Sequence, residues 1–265
     1  MNMKKRLVAL VLSFILLAVA VCLGGCTNPT AYSLVTEASK KTESLDSYAA
    51  KMTMNIGMTL SNETITIPAI VYEISASGVH TGNPVMRIYT TSTSESGESQ
   101  IDMYVENGNY YISMMGEKYQ VPASLVTDDM RVDNTLDGIM AEIPENLFEG
   151  IEIEERADGS KAVIILPSKD AFNEIYSELL EQITSSIGAG DASVELSDTK
   201  IEIVVDKNGY ISAETVSFTM KLTMTAMGTT MEVTAKADVK VEYINPGSDV
   251  TVTAPEGYKD YAKLG

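Results

Sequence analysis

The chain has 265 residues and a formal net charge of −18, from 19 Lys and Arg against 37 Asp and Glu. Nucleic-acid affinity comes largely from basic side chains that neutralise phosphates, so this acidity excludes nucleic acid as a partner and is expected to serve solubility. With 2 cysteines and no tryptophan, the chain must fold on an apolar core rather than on a disulfide framework.

The first element is a leader. Lys4, Lys5 and Arg6 precede an apolar run from Leu7 to Val21. A positive start, an apolar stretch and small residues before a cut describe a secretory signal peptide. The competing reading is an uncleaved membrane anchor, since an apolar run of about 17–25 residues can span a bilayer. Leu23-Gly24-Gly25-Cys26 favours cleavage, because it resembles a bacterial lipobox. That resemblance implies removal of residues 1–25 and a diacylglyceryl group on the Cys26 sulfur. Two acyl chains make a stable anchor where one is marginal. The expected membrane contact is therefore Cys26, at the extracytoplasmic face of the cell membrane. Cys22 leaves with the leader.

Residues 26–30 read as the lipidated cysteine and a tether. Tyr32 to Ser47 reads as a helix with Leu34, Val35, Ala38 and Leu45 on one side. From Ala49 the period becomes two. Met52, Met54, Ile56, Met58 and Leu60 alternate with polar residues and predict a one-faced strand. Thr64 to Ser75 returns, and Pro68 within it predicts an edge or a bulge. Val85 to Thr93, then Ile101, Met103 and Val105, make two further strands. Asn107-Gly108 is a hairpin turn, and Tyr110, Ile112 and Met114 form its partner. Lys118 to Val121 follows. Leu125, Val126, Met130, Leu136, Ile139 and Met140 are spaced for short helices.

Ile151 to Glu155 and Lys161 to Leu166 predict a hairpin around Asp158-Gly159. After Pro167 comes the most regular helical pattern in the chain. Phe172, Ile175, Tyr176, Leu179, Leu180, Ile183 and Ile187 recur at helical spacing, and Gly188 ends it. The last third is a meander. Ile201, Ile203 and Val205 run into Lys207-Asn208-Gly209. Phe218, Met220, Leu222 and Met224 run into Gly228, and Met231 to Tyr243 alternates throughout. Such alternation puts one face on a core and the other in water. Residues 31–246 are expected to form a single domain, with 247–265 a C-terminal tail.

The expected fold class is α+β: a long-stranded, strongly curved antiparallel sheet of about eleven strands, with helices packed on its concave face. Long strands in one meander accumulate twist and curl, which makes a half-barrel. The lipobox, the short helix ending in Ser44-Leu45-Asp46-Ser47-Tyr48, the long hairpins and the late amphipathic helix together resemble the LolA-like and LppX/LprG-like lipoproteins. The layout is closer still to an uncharacterised lipoprotein family of Gram-positive bacteria, with the Met- and Thr-rich alternation of Met220 to Met231. The resemblance rests on layout and composition. It implies a half-barrel that shelters a lipid or another apolar ligand.

The chain has 15 methionines. A polarisable, flexible lining suits a promiscuous apolar site, and the plain alternative is core filling. The candidate lining is Met52, Met54, Ile56, Met58, Met103, Met114, Met220, Leu222, Met224 and Met231. The single histidine, His80, lies in a loop and reads as a surface residue. Ser197-Asp198-Thr199-Lys200 matches S-x-x-K but starts a strand, where the serine acyl-enzymes start a helix. Asp133, Asp137 and Gly138 hint at a calcium loop, but Thr135 and Pro144 break the pattern. No catalytic residue, metal site or cofactor is expected. Three functions remain in order of expectation: a carrier or sensor for an apolar ligand, an adaptor that docks another envelope protein, and an enzyme.

Overall fold

The computed structural model describes residues 29–60, 63–94, 97–122, 148–168, 191–226 and 229–264. These form one helix, α1 (Pro29–Glu43), and a large open, mixed sheet of 12 strands. The strands are β1 (Ser47–Leu60), β2 (Glu63–Ser77), β3 (Val85–Ser94), β4 (Gly97–Glu106), β5 (Asn109–Met114) and β6 (Glu117–Pro122). The second series is β7 (Phe148–Glu155), β8 (Lys161–Pro167), β9 (Asp191–Val205), β10 (Ile211–Ala226), β11 (Thr229–Tyr243) and β12 (Ala262–Lys263). Their order across the sheet is β12-β6-β5-β4-β3-β2-β1-β11-β10-β9-β8-β7.

Two sequential meanders therefore meet in the middle. β1 pairs with β11 in unbroken register from Ala50↔Tyr243 to Leu60↔Val233. Both strands alternate apolar and polar residues without interruption, so any slip by one residue would turn every apolar side chain into water. The hairpin at Asn107-Gly108 forms as predicted. Both residues have positive φ, 50° and 68°, which suits the twist of a tight hairpin and which Asn and Gly adopt at least cost.

Pro68 sits at a bulge, as its position predicts. Met54 pairs with Ile70 but Ile56 pairs with Ile67, so Pro68 and Ala69 take up the extra length. The paired register with β3 begins at Ile70, which leaves the proline nitrogen, with no hydrogen to donate, where the ladder does not need it.

The sheet departs from the all-antiparallel expectation at one edge, where β12 pairs parallel with β6 through Ala262↔Tyr119 and Lys263↔Gln120. β12 is also the strand beyond the expected eleven. Of the expected helices, the described residues contain α1. The short helices over 125–140 and the amphipathic helix after Pro167 lie outside the described residues. α1 begins and ends earlier than the periodicity suggests, because Ser47 and Tyr48 already belong to β1.

α1 lies against β9 and β10. Its Ala31, Val35 and Ala38 join the main core with Met54, Ile56, Met58, Phe218, Met220 and Leu222. Its C-terminal turn is pinned. Ile211 N donates to Thr42 Oγ1 at 2.9 Å, and Lys41 Nζ donates to the Asn208 carbonyl while lying 4.3 Å from the Tyr210 ring centre.

Residues 244–264 run along the outer face of the sheet towards β6. A second, smaller core forms there from Tyr104, Tyr111 and Tyr261, with Val85, Val252, Ala254 and Tyr258 against it. Gly247 begins this run at φ +85°, and a Cβ there would meet Tyr210 Cε2 at 2.7 Å. Glycine is required at that point by both conformation and space.

Candidate functional site

Antiparallel partners share a face, so the register maps the inner face strand by strand. One row reads Ile153, Val163, Ile203, Glu214, Val241, Met52, Tyr72, Thr90, Ile101 and Met114. The next row towards the α1 end includes Tyr243, Ala50, Ile74, Ile88, Met103 and Ile112. The inner face is thus largely apolar from β7 to β5, interrupted by Thr90 and Ser92 on β3 and by Glu214 on β10.

The methionine lining divides along this face. Met54, Ile56, Met58, Met220 and Leu222 are buried in one cluster, with Met52 and Met231 packed at its margin. Met224 pairs in register with Met231. Met103 and Met114 share the face but stand outside that cluster, Met103 half-buried and Met114 40% exposed. The sheet side at β4 and β5 is therefore apolar and only partly covered.

Glu214 is the residue that sequence reading missed. It is 6% exposed, and burial pushes its carboxyl from 4.5 up to about 7. Among the described residues no hydrogen bond reaches that carboxyl. Its signal was present in the sequence: counting back by twos from Phe218 passes Val216 and arrives at Glu214. A bulge between Ile211 and Ala213 then breaks the phase.

Tyr243 lies diagonally from Glu214, two residues beyond its partner Val241. Burial, with the neighbouring Glu214, Tyr48 and Glu43, raises the Tyr243 hydroxyl. Tyr48 meets Tyr243 edge-on, with ring centres 6.4 Å apart, and burial alone pushes its hydroxyl up to about 12. Tyr72, in the Glu214 row, is raised by the same cause. None of these hydroxyls has a hydrogen-bond partner among the described residues. On α1, the buried Ser39 Oγ also lacks one.

The other sequence candidates fall elsewhere. Ser197 and Lys200 do not meet. Ser197 Oγ is 3.4 Å from Asp198 Oδ2, and Lys200 Nζ is 3.4 Å from Glu202 Oε2. Asp198 has φ 53° at a bulge that switches the buried phase of β9 from Leu196 to Ile201. His80 is exposed, with Nε2 2.8 Å from the Glu43 carbonyl, which ties the loop after β2 to the end of α1. Cys26 with its lipobox, and the Asp133 to Gly138 stretch, lie outside the described residues. Among the described residues no group of acidic, His or Cys side chains could hold a metal ion, and no helix is long and apolar enough to cross a membrane.

On the outer face, an open cleft of ≈ 530 Å³ is lined by Arg156, Glu202, Asp206, Lys240 and Glu242 among others. Two of its ion pairs are Arg156 with Glu202 at 2.6 Å and Lys240 with Glu242 at 2.7 Å. It is a polar surface of mixed charge.

No curated protein matches this chain. The solved structures similar to it include LprF from Mycobacterium bovis, at 16% identity and a TM-score of 0.41, over 88% of this chain and 100% of that one. They also include a LolA superfamily protein from Nitrosomonas europaea, at 10% identity and a TM-score of 0.24, over 83% of this chain and 94% of that one. LprF and a LolA superfamily protein thus stand among the structures similar to this chain, as the layout of helix and hairpins leads one to expect. A family model matches residues 30–263, nearly the whole of the described sheet and helix, and the chain belongs to that family, the family of unknown function DUF6612.

Proposed function

We propose that this protein is a lipid-anchored, extracytoplasmic lipoprotein that holds a lipid or another apolar molecule against the inner face of its sheet, as a carrier or sensor and not as an enzyme. In this reading residues 1–25 are cleaved, Cys26 carries the diacylglyceryl group, and residues 31–246 curl into a half-barrel with helices on its concave side. The methionines and neighbouring apolar residues named above line the ligand.

The observation that carries the reading is the inner face itself. It is apolar in register over most of the sheet, yet Ile88, Met103 and Ile112 are only half-buried and Met114 is exposed. An apolar patch left partly uncovered by the described residues supports a binding surface there. Methionine adapts to ligands of varied shape.

Native mass spectrometry of the full chain, with organic extraction of the same sample, tests this. A stoichiometric adduct that extracts as a lipid is expected. A clean mass under conditions that preserve the fold would overturn the ligand reading. The anchor is tested separately: labelled palmitate should enter the wild type and not Cys26→Ser, which should leave the membrane fraction.

The second reading is an envelope adaptor without a bound ligand. Met115, 86% exposed at the β5–β6 turn beside Met114, is the observation that favours it. Crosslinking on intact cells through that turn would then capture a defined partner.

A further inference from the structure

An apolar site that takes any greasy molecule needs no polar lining. This one has a polar corner. Glu214, Tyr243 and Tyr48 follow one diagonal across β10, β11 and β1, because Glu214 opposes Val241 and Tyr243 opposes Ala50. Diagonal neighbours in a sheet lie about 7–8 Å apart, so one small head group can reach more than one of them.

Burying polar groups without partners is unfavourable, and most native proteins satisfy them. Here Glu214, a residue 6% exposed, and the adjacent half-buried tyrosines have no hydrogen-bond partner for their polar atoms among the described residues, on the face already read as ligand-binding. Their missing partners are supplied most simply by a ligand.

The chemistry selects which ligand. Above about pH 7, where it is ionised, Glu214 accepts hydrogen bonds and repels anions. Glu43, at the end of α1, adds a second acidic group near Tyr243. The cation found on this face among the described residues, Lys161, stands in the edge hairpin and is held by Glu155 at 3.5 Å. Among the described residues no cation acts on Glu214 or Tyr243, and Lys41, in the same turn of α1 as Glu43, is held by the Asn208 carbonyl and the Tyr210 ring.

We infer that Glu214, with Tyr243 and Tyr48, is the polar anchor of the ligand site, and that the ligand is an amphiphile whose head group donates hydrogen bonds and carries no negative charge. The inference rests on the ligand reading above and adds which end of the ligand is recognised and by what. The apolar tail then runs along the methionine face away from α1.

The test is native mass spectrometry of the full chain released from detergent micelles, with two probes sharing one acyl chain. 1-Monooleoylglycerol presents hydroxyl donors, and oleate presents a carboxylate. At pH 8.5, where Glu214 is ionised, the wild type should retain the glyceride about tenfold better than oleate, the scale of one or two hydrogen bonds. Glu214→Leu should bring the two probes level. Glu214→Gln keeps an acceptor but removes the charge, so it should keep the glyceride and admit oleate. N-phenyl-1-naphthylamine, a neutral apolar dye, should bind all three proteins and shows that the apolar face is intact. Equal retention of both probes by the wild type, or a preference that survives in Glu214→Leu, overturns the anchor while leaving the ligand reading standing. Failure of the dye and both probes on the folded wild type overturns both.

Discussion

Arg87 on β3 grips Asp102 on β4 with both arms of its guanidinium, Nε to Oδ1 at 2.9 Å and Nη2 to Oδ2 at 2.8 Å. Its remaining arm, Nη1, donates to the Thr253 carbonyl at 2.9 Å. One side chain thus joins the sheet to the C-terminal run that crosses it.

That geometry predicts that Arg87 holds the C-terminal run down. The pair is partly exposed, 29% and 15%, so Arg87→Ala should lower stability by about 1–2 kcal/mol after allowance for solvent. Arg87→Lys should not restore it, since an ammonium cannot make the fork and reach Thr253 as well. Urea midpoints, with limited proteolysis near Thr253, check this. A lysine variant as stable and as protected as the wild type would show that charge alone suffices.

The same run is clamped by aromatic contacts. Tyr258 meets Tyr111 edge-on at 4.8 Å and Tyr104 at 5.0 Å, and its hydroxyl donates to Glu106 Oε2 at 2.8 Å. Tyr258→Phe should lower the unfolding midpoint only slightly, since the lost hydrogen bond is partly open to solvent. Tyr111→Ala, which removes a buried ring common to several contacts, should cost about 3–5 kcal/mol. Equal effects of the two substitutions in thermal unfolding would contradict the packing described.

Glu214 makes stability depend on pH. Its folded value lies at about 7 against 4.5 unfolded, so the folded state holds a proton that the unfolded state has released. The stabilising contribution is full below pH 4.5 and is lost as pH rises towards 7. By linkage the loss amounts to roughly 3 kcal/mol. Tyr243 and Tyr48 beside it titrate far above this window. Glu214→Gln should remove that part of the slope, so the gap between variant and wild type should widen from pH 4.5 to pH 7.5. Parallel curves would show that the carboxyl is not held neutral.

The centre of the main core sets a further expectation. Met54 is 0% exposed where β1 joins the two meanders. Met54→Ala should cost about 2–5 kcal/mol, whereas Met114→Ala, at an exposed position on the same face, should cost less than about 1 kcal/mol. Calorimetry separates the two, and equal losses would mean that the inner face is uniformly packed rather than open towards β5.

Strict alternation made the strands legible, because a period of two leaves one face apolar whatever the strand pairs with. Asn107-Gly108 announced its hairpin, because few other residues accept positive φ at both positions. Pro68 announced its bulge, because it cannot donate to a ladder. These are local constraints, and the sequence by itself determined them. The tertiary structure alone decided that β1 pairs with β11, that β12 returns beside β6 in parallel, and that the C-terminal run builds its own tyrosine core. Those choices depend on which distant surfaces bury each other best. The position of Glu214 is the clearest case. In sequence it is one acid among many on a polar-looking stretch. The bulge between Ile211 and Ala213, and apolar neighbours supplied by strands near and far in the chain, bury it with no hydrogen-bond partner among the described residues.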